Sequence, residues 1–167
     1  MIVAETARLL LRELTAADAP FLHALLTDPA FLEHIGDRGV HTLNDAARVI
    51  PQRYRAGYAR DGFGMWLIER KLDATAIGLA GLVRREGLDH VDLGYALLPQ
   101  ARGQGYAREA AGAVVAWATR HGIAPLLAIV SPANLPSIAV LERLGFLPSG
   151  TVTLPRDDAP VRLFQKL

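Results

Sequence analysis

The junction at residues 91–121, VDLGYALLPQARGQGYAREAAGAVVAWATRH, constrains this chain more than any other stretch. Its first part alternates as a strand does, with Val91, Leu93, Tyr95 and Leu97 on one face and Asp92, Gly94 and Ala96 on the other. Its last part repeats Ala107, Ala110, Ala111, Val114, Val115 and Ala118 at helical spacing, with Gly122 as the stop. Between them, Gly103 and Gly105 lack Cβ atoms, so the chain can turn tightly and a ligand can approach the main chain. The amides from Arg102 to Ala107 would then converge on one spot, backed by the positive end of the helix dipole. Arg102 adds a planar fork suited to phosphate. The plainer alternative is a strand-to-helix turn in which glycine serves geometry alone.

Two other phosphate-binding devices fail on spacing. No G-x-x-x-x-G-K-[ST] string exists in the chain. The G-x-G-x-x-G fingerprint would need glycine where Arg108 stands, and no acidic residue lies near Pro125, where a ribose-binding carboxylate would be expected. A nucleotide-dependent oxidoreductase is therefore disfavoured.

Composition narrows the class further. With 167 residues, 51% of them hydrophobic, the chain suits one globular domain over 1–167 with a sizeable core. Its net charge of +1 gives no basic excess for nucleic-acid binding. Cysteine is absent, which removes thiolate nucleophiles and disulfides and fits a reducing, cytoplasmic setting. The opening MIVAETARLLLREL is interrupted by Glu5 and Arg8 and does not read as a signal peptide. Residues 121–141 carry no Asp, Glu, Lys or Arg, yet Pro125, Pro132, Pro136 and Gly122 read as strand and helix rather than a membrane span.

Elsewhere, residues 8–14 read as a strand, and Thr15 with Asp18 opens a helix running through Leu26. A short helix around Phe31–Ile35 and a helical pattern from Thr42 follow, the latter kinked or divided by Pro51. Strands are expected over 63–70, 76–85, 91–98 and 126–130, and a helix over 134–144. Residues 146–153 and 160–166 would close the sheet as an antiparallel arm. The order β-α-α-β-β-β-α-β-α-β-β predicts an α/β (α+β) domain with a mostly antiparallel sheet and one parallel pairing.

Q-A-R-G-Q-G at 100–105 resembles the Q/R-x-x-G-x-G/A pyrophosphate signature of the GNAT superfamily of acyl-CoA N-acetyltransferases. The likeness runs over essentially the whole chain. ARLLLRELTAADAPFLHALLTDPAF is similar to the opening of the RimJ/RimL-like branch, VDLGYALLP to its fourth strand, and NLPSIAVLERLGF (134–146) to its N-x-x-S…LGF segment. The resemblance implies that acetyl-CoA lies where strands 91–98 and 126–130 splay apart. Its pantetheine would bond to Ala96, Leu97 and Leu98. Its pyrophosphate would meet Arg102, Gly103, Gln104, Gly105, Tyr106 and Ala107, with Asn134 touching the cofactor or capping its own helix. No metal is implied.

With no cysteine, direct attack by an amine on the bound thioester is the expected route. The family's leaving-group tyrosine is replaced here by Leu141, and Ser137 of the N-x-x-S pattern is the substitute proton donor. For the base, Asp92 falls where the branch carries an acidic residue, though it equally fits the polar face of a half-exposed strand. Asp157 and Asp158 sit near a second carboxylate position, and water alone is the remaining alternative. Phe31, His34, Trp66 and Tyr95 are candidate walls of the acceptor pocket, and His41 lies in the same segment as His34. The expected partners are acetyl-CoA and an amine, with neither nucleic acid nor membrane, in a monomer or homodimer. The competing reading is a GNAT-fold module that binds acyl-CoA without catalysis.

Overall fold

The fold is that of a computed structural model, which describes residues 1–155 and 157–167. The strands are β1 Ile2–Glu5, β2 Leu9–Arg12, β3 Met65–Arg70, β4 Thr75–Val83, β5 Asp92–Leu97, β6 Leu126–Val130, β7 Leu147–Val152 and β8 Val161–Lys166. The α-helices are α1 Ala19–Leu26, α2 Pro29–His34, α3 Leu43–Val49, α4 Ala56–Asp61, α5 Tyr106–Arg120 and α6 Leu135–Arg143. All eight strands join one sheet in the order β1-β2-β3-β4-β5-β6-β8-β7. Every pairing is antiparallel except β5 with β6, the one parallel contact expected across the α5 crossover.

Local chemistry explains most boundaries. β4 is continuously apolar because both of its faces are covered, and its central residues are buried. Pro51 cannot donate a helical hydrogen bond, and Ile50–Arg55 widens into a π-helical stretch that divides α3 from α4. α5 turns Ala110, Ala111, Val114 and Ala118 inward, and these small side chains let it lie close on β4 and β5. The expected boundaries hold within a few residues, apart from β1. That strand is four residues long, pairs only with β2 at the sheet edge, and leaves Ile2 exposed, so its alternation is too short to read.

The feature that positions the site is a parting of strands. β5 and β6 share a single register pair, Asp92 with Leu127, closed by a 2.9 Å bond from the Leu127 amide to the Val91 carbonyl. β4 holds the other edge of β5 along its whole length, and β8 holds β6 from Leu126 to Val130. From Leu93 onward the two strands diverge, leaving a cleft. The Val91 carbonyl faces β6 and the Leu98 amide faces β4. By strand alternation, the backbone groups of Tyr95 and Leu97 and the Leu93 carbonyl open into the cleft, and those of Ala96 and Leu98 turn to β4. Of the three residues expected to offer main-chain bonds to a pantetheine, only Leu97 faces the right way.

Candidate active site

At the carboxyl end of β5 the chain turns through Gly103 and Gly105, with φ of 76° and 80°. These left-handed values cost an L-residue about 1–2 kcal/mol each, which is why glycine stands at both. The first amide of the following helix to find a partner is that of Glu109, which reaches the Gly105 carbonyl at 3.1 Å. Among the described residues, no backbone acceptor meets the amides of Gly103 through Arg108. Unfilled donors at a helix start, with the dipole behind them, make an anion seat. Gln104, Gly105 and Ala107 offer main chain here, and the Tyr106 side chain is buried in the core.

Two arginines frame this turn, one foreseen and one not. Arg102 Nη2 donates to Asp28 Oδ2 at 2.7 Å and to the Leu97 carbonyl at 3.1 Å. Its charge is thus paired with a carboxylate in the folded chain. The pairing fastens the start of α2 to the end of the cleft, since the same Asp28 oxygen accepts from the Phe31 amide. Arg8 is the residue that sequence reasoning missed. It donates to the Gln104 carbonyl at 2.9 Å, pairs with Glu109 at 2.7 Å and stacks over the Tyr106 ring at 4.4 Å. Only the fold brings it to the turn, because Arg8 and Glu109 lie 101 residues apart.

In the middle of the cleft, Ser137 and Tyr95 come together. Tyr95 Oη donates to the Ser137 carbonyl at 2.9 Å and stands 2.8 Å from Ser137 Oγ. Burial pushes the Tyr95 hydroxyl up to about 12, against the opposing pull of its bond to Ser137, so it stays protonated at any working pH. Tyr95 is therefore the partner of Ser137 on the α6 side rather than simply an acceptor wall. Asn134 caps α6, its Oδ1 accepting from the Ser137 amide at 3.4 Å, which is the capping alternative foreseen for it. Leu141 lines the cleft where the family's tyrosine would stand.

The opposite face of β5 carries Asp92, which is 1% exposed and so not on a half-exposed strand face. Arg85 approaches its two oxygens at 3.3 and 3.4 Å. Burial raises the pKa of this carboxyl, and the charge and hydrogen bonds of Arg85 oppose the rise. Asp92 stands about 10 Å along the strand from Tyr95, three residues at about 3.3 Å each. Its only side-chain partner among the described residues is Arg85. Asp157 also lines the cleft, and its amide closes a turn on the Leu154 carbonyl, whereas Asp158 is exposed and outside the lining.

A cavity of about 380 Å³ takes in Tyr95, Ser137, Leu141, Asp92 and Asp157, and the glycine turn lies outside its lining. Phe31 and His34 line it, and His34 Nδ1 is buried without a partner among the described residues. Trp66 does not belong to it. Met65 and Gly94 share the acceptor face, and Trp66 points through the other face of β3 to meet Trp117 edge-on at 5.0 Å. His41 is likewise elsewhere, paired at the surface with Asp37 at 2.7 Å. Among the described residues no group of three or more His, Asp or Glu is placed to hold a metal ion, and no helix is long and apolar enough to cross a membrane.

A splayed parallel strand pair, a glycine turn with unfilled amides and a hydroxyl beside the gap together make up the site. The model of the Acetyltransferase (GNAT) domain matches residues 8–147, and the chain belongs to that family. It is an acetyl-CoA-dependent acetyltransferase. The chain is 26% identical over 152 residues, 90% of its length and 85% of the relative's, to the uncharacterized N-acetyltransferase YoaA of Bacillus subtilis. An acetyltransferase crystal structure from Agrobacterium tumefaciens superposes with a TM-score of 0.81 at 29% identity, covering 98% of this chain and 92% of that one. RimL, a ribosomal alpha-N-protein acetyltransferase solved with coenzyme A, shares the fold with a TM-score of 0.77 at 19% identity, covering 100% and 98%.

Proposed function

We propose that this single domain transfers acetyl from acetyl-CoA to a primary amine, a protein N-terminus or a small-molecule amine, by direct attack within a ternary complex in the cytoplasm. The observation that carries the reading is the parting of β5 from β6 beside the glycine turn, with three stations spaced along β5. Unfilled amides at 103–108 mark one end, the Ser137–Tyr95 pair marks the middle, and buried Asp92 stands toward the other end.

Each station has a distinct task. The glycine-turn amides and the α5 dipole hold the pyrophosphate. The backbone groups of Tyr95 and Leu97 and the Leu93 carbonyl give the extended pantetheine a strand edge to pair with, as a β-strand would. Acetyl-CoA supplies the thioester, whose carbonyl carbon forms a C–N bond with the amine as the C–S bond breaks. Ser137 Oγ delivers a proton to the departing thiolate sulfur, and Tyr95 holds the serine in place. Asp92 receives the amine's proton through water. Burial raises its pKa, and the charge of Arg85 opposes the rise.

The test is release of free thiol from acetyl-CoA across a panel of primary amines, with acetylated product identified by mass spectrometry. Amine-dependent release that falls about a hundredfold or more in Asp92→Asn supports the reading. Acetyl-CoA binding with no amine-dependent release across the panel would overturn it.

A further inference from the structure

The acceptor end of the cleft is walled by arginine. Arg38 follows α2, Arg53 lies in the π-helical stretch, Arg60 in α4, and Arg84 and Arg85 follow β4. Three aspartates share the lining, and two of them are spent: Asp61 pairs with Arg60 at 2.9 Å and Asp92 with Arg85 at 3.3 Å. The third, Asp157, acts on Arg38 only through space, as does Asp92, and Arg85 opposes them as a like charge. Among the described residues no carboxylate is in salt-bridge contact with Arg38, Arg53 or Arg84.

The protein contacts of these three guanidiniums leave donors to spare. Arg38 reaches the Ile35 carbonyl only at 3.4 Å, Arg53 donates to the Arg38 carbonyl at 2.7 Å, and Arg84 lies over the Phe63 ring at 5.6 Å. These groups do not belong to the pyrophosphate seat. Arg85 and Asp92 meet at the amino end of β5, and the glycine turn follows its carboxyl end, about 17 Å away along six residues. The cationic surplus faces whatever enters opposite the thioester. Clefts lined by one sign of charge concentrate ligands of the other sign, and guanidinium forks fit carboxylates in two-point contact.

We propose that the acceptor is an amine carrying a carboxylate a few bonds from its nitrogen, and that Arg38, with Arg53 and Arg84, binds that carboxylate. This deepens the acetyltransferase reading and rests on it. A cationic acceptor such as a polyamine is repelled at the same wall. The carboxylate fixes the register of the amine against the thioester, and the excess positive charge around the amine favours its neutral, nucleophilic form.

The experiment compares kcat/KM for matched acceptors: glutamate with glutamine, aspartate with asparagine, a Glu-Ala with a Gln-Ala dipeptide, and an aliphatic diamine. The acid of each pair is expected to be favoured about tenfold or more over its amide, with the ratio shrinking as salt rises. Preference among the free amino acids identifies a metabolite-like acceptor, and preference confined to the dipeptides identifies an acidic protein N-terminus. In Arg38→Gln the ratio should collapse toward one, and in Arg38→Lys part of it should return. Acetylation with equal use of acids, amides and diamine would overturn the inference and leave the acetyltransferase reading intact. Absence of amine-dependent thiol release would overturn both.

Discussion

Tyr95→Phe removes one oxygen and leaves the ring. In the folded protein that oxygen bonds to the Ser137 carbonyl at 2.9 Å and to Ser137 Oγ at 2.8 Å, in a half-buried setting. Losing a partner there costs about 1–3 kcal/mol of stability, of which 1 kcal/mol lowers Tm by about 2–4 °C in a chain of this size. The catalytic effect is separate. A positioned proton donor contributes about 10²–10⁴-fold, and a serine freed to rotate gives up part of that. A fall in kcat of about tenfold, 1.4 kcal/mol, is expected with little change in acetyl-CoA affinity. Ser137→Ala should lower kcat at least as far. The decisive reading is the double variant, since Tyr95 is held to act through Ser137. Adding Tyr95→Phe to Ser137→Ala should cost almost nothing further in kcat. Steady-state thiol release at saturating acetyl-CoA, with calorimetric affinities and melting curves, supplies all the numbers. Because the tyrosine stays protonated up to about 12, Tyr95→Phe should leave the pH profile between 6 and 9 in place. Full additivity in the double variant, or Tyr95→Phe at the parent rate, would refute the pairing as a catalytic arrangement.

Further expectations follow from the turn and the buried carboxylate. Gly105→Val forces a β-branched side chain to a φ of 80° with its Cβ about 3.3 Å from Arg8 Nη2, so stability should fall by about 1–2 kcal/mol and acetyl-CoA affinity by about tenfold or more, read by melting and calorimetry. Gly103→Ala meets open space at a φ of 76°, so its loss should reflect backbone strain alone and be the smaller of the two. For Asp92, a base must be ionised, so kcat/KM should fall as pH drops through its burial-raised pKa, placing the acidic limb above the ordinary carboxylate range of about 4. Asp92→Asn should erase that limb, whereas Asp158→Asn, at an exposed position, should keep it; an unchanged limb in Asp92→Asn would assign the proton to another acceptor.

What the sequence made legible was local. Two glycines five and seven residues past the strand read at 91–98, and small residues at helical spacing after them, define the turn and α5 because both depend on neighbours in the chain. Pro51 announced the break between α3 and α4 for the same reason. The misses are long-range. Arg8 joins the turn, and Asp28 claims Arg102, through contacts that only the folded sheet and helices create. Trp66 and Tyr95 were both plausible pocket aromatics, yet they project from the same side of the sheet on strands separated by β4, and only Tyr95 lies beside the splay that exposes it. Asp92 looked half-exposed because alternation reports a face and not what covers it. The arginine wall is assembled from four separate segments and carries no sequence signature at all.

The central claim, that the glycine turn seats the pyrophosphate of acetyl-CoA, is tested most directly by amide chemical shifts on titration with coenzyme A. Isotope-labelled protein should show its largest changes at the amides of Gly103, Gln104, Gly105, Tyr106, Ala107 and Arg108, saturating together with those of Tyr95 and Leu97. Tight binding that leaves the 103–108 amides unmoved would contradict the account, because the carrier would then lie elsewhere on the molecule.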